Sequence, residues 1–179
     1  SSLIRRIHHV SKVNPFELCK VGDVGDTPVN PVNLINSLEM IEEFYRPLAE
    51  AGVVPLSCGG DHLITLPIFR AIAKDRPVGM VHFDAHTDTY EQGTRFDHGT
   101  IFHHALQEGL VVPEHSLQIG IRTSYDRNNH PYEVLDADWV NDHGPAAVLE
   151  RIRARVGKEL GRLESHFPKI TACKVLGEG

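Results

Sequence analysis

Short apolar runs alternate along this chain with segments of helical period, and this alternation constrains the fold more than any other feature. "VVPLSC" (53–58), "VGMVHF" (78–83) and "SLQIGIR" (116–122) read as strands, and "FELCKVGDVGD" (16–26) as a strand running into a loop. Between them the apolar residues change period. Leu34, Leu38, Ile41, Tyr45 and Leu48 recur at helical spacing from Asn33 to Glu50, and Gly52 stops that helix. Further helices are expected over Leu66–Lys74, His103–Gly109 and Ala146–Val156, the last with Val148, Leu149, Ile152 and Val156 as its apolar set. Strands separated by helices of this length build βαβ units and a parallel sheet, so the chain reads as α/β. No repeat, low-complexity tract or linker divides its 179 residues, a length that suits one domain.

Three polar motifs fall at or just beyond the ends of these elements: "CGGDH" (58–62), "DAHTD" (84–88) and "FDHGT" (96–100). Ligands of open α/β sheets bind outside the carboxyl ends of the strands. Alternate residues of an extended segment point the same way. Asp84, His86 and Asp88 therefore aim at one small volume as long as the chain stays extended to Asp88. Carboxylates brought that close repel unless a cation or proton neutralises them. A mixed carboxylate and imidazole set suits manganese, iron or zinc, and a carboxylate-rich one leans to manganese. One carboxylate has two oxygens, so Asp84 is able to bridge a metal pair. Taken alone, "GGDH" is a turn with Asp61 as a helix cap. His8, His9, His115, His130, His143 and His166 read as satisfied surface or interface groups.

The composition removes other classes. Net charge is −6 and no basic patch carries interleaved aromatics, so "RRIHH" and "RIRAR" read as solvated helix faces and nucleic acid is not an expected partner. No apolar stretch approaches the roughly 18 residues of a membrane helix, and no secretory signal is recognisable. Cys19, Cys58 and Cys173 are odd in number and widely spaced. They read as reduced thiols in small core positions of a cytoplasmic protein.

"CGGDH" (58–62), "DAHTDTY" (84–90), "FDHGTIF" (96–102) and "QIGIR" (118–122), in this order, resemble the ureohydrolases: arginases, agmatinases and guanidino-acid hydrolases. The similarity is greatest to bacterial agmatinases. It implies a three-layer sandwich around a central, mostly parallel sheet, incomplete at both ends, with residues 1–157 as the domain and 158–179 as an atypical tail. It implies two manganese ions, the first held by His62, Asp84 and Asp88 with Asp84 bridging, the second by His86. His98 becomes the proton-transferring histidine, while substrate-binding residues stay unassigned. The implied reaction is hydrolysis of a guanidino compound to urea and an amine by a hydroxide bridging the metals, with agmatine giving putrescine. Guanidinobutyrate and arginine are the alternative substrates. The expected setting is a cytoplasmic homo-oligomer with a small guanidino substrate, without nucleic acid or membrane.

One departure stands out. The family's later S-x-D-x-D-x-x-D-P strand has no counterpart after Val156, where the sequence holds no Asp. Asp136 and Asp138 in "LDADW" read as a loop and strand edge, and Glu164 and His166 are the first substitutes to consider. The chain therefore reads as the front part of such an enzyme, starting within a helix and impaired alone. A non-catalytic fragment that assembles with intact subunits is the competing expectation. A deacetylase-like amidohydrolase with a single zinc is a more distant one.

Overall fold

The computed structural model describes residues 7–91 and 95–157. The expected helix at Ser1 and the tail 158–179, with Glu164, His166 and Cys173, lie outside the described residues. A single turn, α1 (Pro15–Leu18), is capped by Asn14, whose side chain accepts from the Phe16 amide. This turn and the coil after it stand where a strand is expected from Phe16. Helix α2 (Leu34–Glu50) starts at Asn33, which caps the Asn36 amide, and its inward stripe is Leu38, Ile41 and Tyr45. Residues 53–58 also run as coil and not as the expected strand. Val54 and Leu56 face solvent, so apolar content alone does not make a strand where no neighbour supplies a ladder.

A one-turn 3₁₀ segment (His62–Ile64) leads into α3 (Thr65–Ala73). Strand β1 (Val81–Phe83), helix α4 (Ile101–Gln107) and strand β2 (Leu117–Ile121) form one βαβ unit. A direct loop then leads to β3 (Glu133–Asp136). The sheet order is β1-β2-β3 and both pairings are parallel, with Val81 opposite Leu117 and Leu117 opposite Glu133. Helix α5 (Ala137–Ile152) follows, capped by Asp136. The helix expected from Ala146 is its second half, because Gly144 (φ 76°) and Pro145 kink it, and a π turn (Arg153–Gly157) ends it.

The strands sort their side chains by parity. Val81, Leu117, Ile119 and Leu135 pack against Val148 and Val156 on one side of the sheet. Met80 packs on the other side with Leu66 and Phe69 of α3, Ile101 and Phe102 of α4, and Leu38 of α2. The result is three layers, α2–α3–α4, sheet, and α5. Each large side chain withdrawn from water here contributes about 1.5–3 kcal/mol. Parity also puts the polar residues His82 and Gln118 on the α4 side, both fully buried. Cys19 and Cys58 are exposed, contrary to the core positions expected for them, because both fall in coil. Among the described residues no helix is long and apolar enough to cross a membrane.

Candidate metal centre

Strand β1 ends at Phe83, and the Asp84 amide makes one more ladder bond to the Ile119 carbonyl (3.1 Å). The chain then turns and does not stay extended. The His86 amide donates to Asp84 Oδ1 (2.8 Å), closing a turn of the Asx kind. Asp88 sits in the left-handed region at φ 51°, which Asp tolerates better than most residues. The turn is braced along its length. The Arg122 amide and Thr123 hydroxyl both donate to the Ala85 carbonyl, Gln118 to the Thr87 carbonyl, and the Phe102 amide to the Asp88 carbonyl. Gly120 favours this path through its backbone, because an added Cβ would find only ordinary contact. At φ 86° it forms an irregularity in β2, and a Cβ there would stand 3.4 Å from the Asp84 carbonyl.

This turn brings Asp84 and Asp88 together by curvature, not by alternate register. His62 arrives from the 3₁₀ segment after "CGGD", where Asp61 caps the Leu63 amide (2.8 Å) as expected of a strand-to-helix connection. His62 Nδ1 lies 2.7 Å from Asp88 Oδ2, and both side chains are nearly buried. One ligand atom from each of His62, His82, Asp84 and Asp88 falls within 4.8 Å of the others. His62, Asp84 and Asp88 belong to the set expected from the sequence, and His82 does not. The signal for His82 was available, since it stands two residues before Asp84 and alternate strand residues share a face. It was hidden inside an apolar run.

The other expected residues stand apart from this group. His86 is more than half exposed, with Nδ1 3.4 Å from Asp84 Oδ1. The alternation argument required an extended chain, and the turn at Asp84 swings His86 outward. His98 is largely exposed, and its Nδ1 lies 3.9 Å from Asp61 Oδ2, beside the residue that precedes His62. Asp136 caps α5 and pairs with Arg127 (3.0 Å), a structural role in keeping with a strand edge. His130 is a satisfied group, as expected. It is half-buried, donates from Nε2 to Gln118 Oε1 (2.8 Å), and lines a cleft of about 530 Å³ with Thr87, Tyr90, His103 and Tyr125.

The electrostatics suit a cation. Burial resists ionisation of Asp84, but the side chain of His82 and the amide of His86 outweigh it and hold the carboxyl well below the usual carboxylate range. Burial lowers the pKa of His82, keeping the ring neutral despite the nearby carboxylates. Two carboxylates and His62 thus converge on one small volume. A divalent ion matches this set of donors, and mixed oxygen and nitrogen ligands suit manganese, iron or zinc.

Comparison with known proteins identifies the family of this fold. The profile of the Arginase family matches residues 1–163. Guanidinopropionase from Pseudomonas aeruginosa is 57% identical over 167 residues, which is 88% of this chain and 52% of that protein. Agmatinase from Proteus mirabilis is 47% identical over 138 residues, 73% of this chain and 45% of that protein. Among solved structures, a hypothetical agmatinase from Burkholderia thailandensis superposes with a TM-score of 0.77 at 37% identity, covering 84% of this chain and 48% of that one. Proclavaminate amidino hydrolase from Streptomyces clavuligerus gives 0.78 at 32% identity, covering 88% and 56%. The chain spans about half the length of the curated relatives it matches. With this fold, these motifs and a profile match over most of its length, the chain belongs to the arginase family.

Proposed function

We propose that this chain carries the metal-binding part of a guanidino hydrolase, which cleaves a guanidino compound to urea and an amine. The observation that carries the reading is the convergence of His62, Asp84 and Asp88 at the end of β1. His62, Asp84 and Asp88 would hold one manganese ion, and His86, with a shared oxygen of Asp84, would contribute to a second. A bound metal pair supplies Lewis acidity that makes a nucleophilic water available near neutral pH. The protein's own part is positioning and proton transfer. The Asp84 carboxylate is oriented by the His86 amide, and Asp88 and His62 hold each other. His98, exposed at the rim beside Asp61, would give the departing nitrogen its proton.

The reading assigns residues 1–157 to the ureohydrolase-like domain and 158–179 to a tail, and it keeps the cytoplasmic homo-oligomer that the resemblance implies. Agmatine is the first substrate, supported by the relatives named agmatinase. A guanidino acid is the second, favoured by the 57% identity to a protein named guanidinopropionase. Urea release from agmatine, guanidinopropionate, guanidinobutyrate and arginine, each with and without manganese, tests both. The reading expects manganese-dependent urea from at least one of them. No urea from any, with metal bound, overturns it.

A further inference from the structure

We propose that His82 is a positioning residue, which donates its Nε2 proton to Asp84 and does not itself take a metal ion. The inference rests on Asp84 being a metal ligand, and it deepens that reading. Gln118 is a fully buried amide on β2 opposite His82. One side of this amide faces the Thr87 carbonyl at 2.7 Å, and a carbonyl only accepts, so the amide nitrogen stands there. That nitrogen also lies 3.0 Å from His82 Nδ1, while the amide oxygen accepts from His130 Nε2. Every polar group of Gln118 is then used in one consistent orientation. His82 Nδ1 is an acceptor, and a neutral imidazole that accepts at Nδ1 carries its proton on Nε2.

Among the described residues, His82 Nε2 is a buried polar atom with no hydrogen-bond partner. The oxygen it faces is Asp84 Oδ2, 3.7 Å away. A ring nitrogen that binds metal must present a bare lone pair, and this one holds a proton. Nor is the ring free to exchange its nitrogens. It lies against His62, with ring centres 5.3 Å apart and planes at 29°, and against Phe102 at 4.5 Å. Asp84 is thereby addressed from two sides, Oδ1 by the His86 amide and Oδ2 by His82. A small closing movement of Asp84 completes the second bond and fixes the plane of its carboxylate.

The tautomer is read by long-range ¹H–¹⁵N correlation of the histidine rings, in the metal-free chain and in the chain titrated with zinc, which is diamagnetic. The expected result is a protonated Nε2 and a bare Nδ1 for His82 in both states. A proton on Nδ1, or loss of the Nε2 proton when zinc binds, overturns the proposal and makes His82 a ligand. The metal-free spectrum decides the tautomer even if no guanidino compound is hydrolysed, so the two readings fail separately. Two variants give a second readout. His82→Gln keeps an N–H near the position of Nε2 and is expected to keep zinc affinity near that of the parent. His82→Leu removes the donor and is expected to lower affinity about 10–100-fold without changing stoichiometry. An equal loss of affinity and stoichiometry in both variants contradicts the positioning role.

Discussion

His62 Nδ1 stands 2.7 Å from Asp88 Oδ2, joining the 3₁₀ turn before α3 to the loop after β1 across 26 residues of sequence. The contact depends on the left-handed backbone of Asp88, which turns its carboxylate back toward the sheet end. The site is therefore a property of the loop's curvature, and whatever straightens the loop should open it.

Gly120→Ala tests that dependence. The residue sits at φ 86°, where an L side chain costs about 1–2 kcal/mol, and the added Cβ meets the Asp84 carbonyl. Denaturant unfolding of the metal-free chain should show a loss of that size, and metal affinity should fall with it. An unchanged midpoint would mean that β2 accommodates the side chain without moving the loop.

His98→Asn should lower urea release about 10²–10⁴-fold and leave the metal content unchanged. The residue lies outside the ligand cluster, against Asp61 on the rim. Loss of metal in this variant would place His98 among the ligands and remove its proposed proton-transfer role.

Burial lowers the pKa of His130, so the unfolded chain takes up that proton more readily than the folded one. Stability linked to His130 is present above the ordinary histidine value of about 6.5 and declines as pH falls below it toward the folded value. Urea denaturation of the metal-free chain between pH 5 and 8 (about the range in which histidines titrate) should show this slope. His130→Gln, which retains a donor for Gln118, should make it shallower, and an identical slope in the variant would remove His130 as its source.

Much of this architecture was legible in the sequence, and the reasons it was or was not are local. The stripe of α2, from Leu34 to Leu48, has an unbroken helical period, and β2 alternates Leu117, Ile119 and Ile121 with Gln118 and Gly120, so both emerge close to their observed bounds. Residues 53–58 have a strand's composition but no neighbour among the described residues, and composition cannot report a missing partner. At the site, residue types were readable and backbone path was not. Asp84 and Asp88 are expected to meet along an extended chain, and they meet through a turn that leaves His86 to one side, more than half exposed beside Asp84. His82 is not legible as a site residue, because a buried histidine within an apolar strand reads as core until Gln118, 36 positions away, stands beside it.

The ligand count among the described residues separates the two metals. In the proposed site His62, Asp84 and Asp88 would give the first metal three protein ligands, a number sufficient for a catalytic-type site. The second would draw only on His86 and Asp84, so urea release should require manganese well above the concentration that fills the first. Saturation of both phases at the same concentration would show that further ligands contribute.

The most direct measurement is manganese titration of the metal-free chain by calorimetry, with metal analysis after dialysis, for the parent and for Asp88→Asn. Asn also tolerates the left-handed backbone of position 88, so the variant removes the charge with little strain. The account predicts one tightly held manganese per parent chain and an affinity loss exceeding the roughly 100-fold of an indirect contact in the variant. Retention of no manganese by the parent, or equal retention by both, would contradict it.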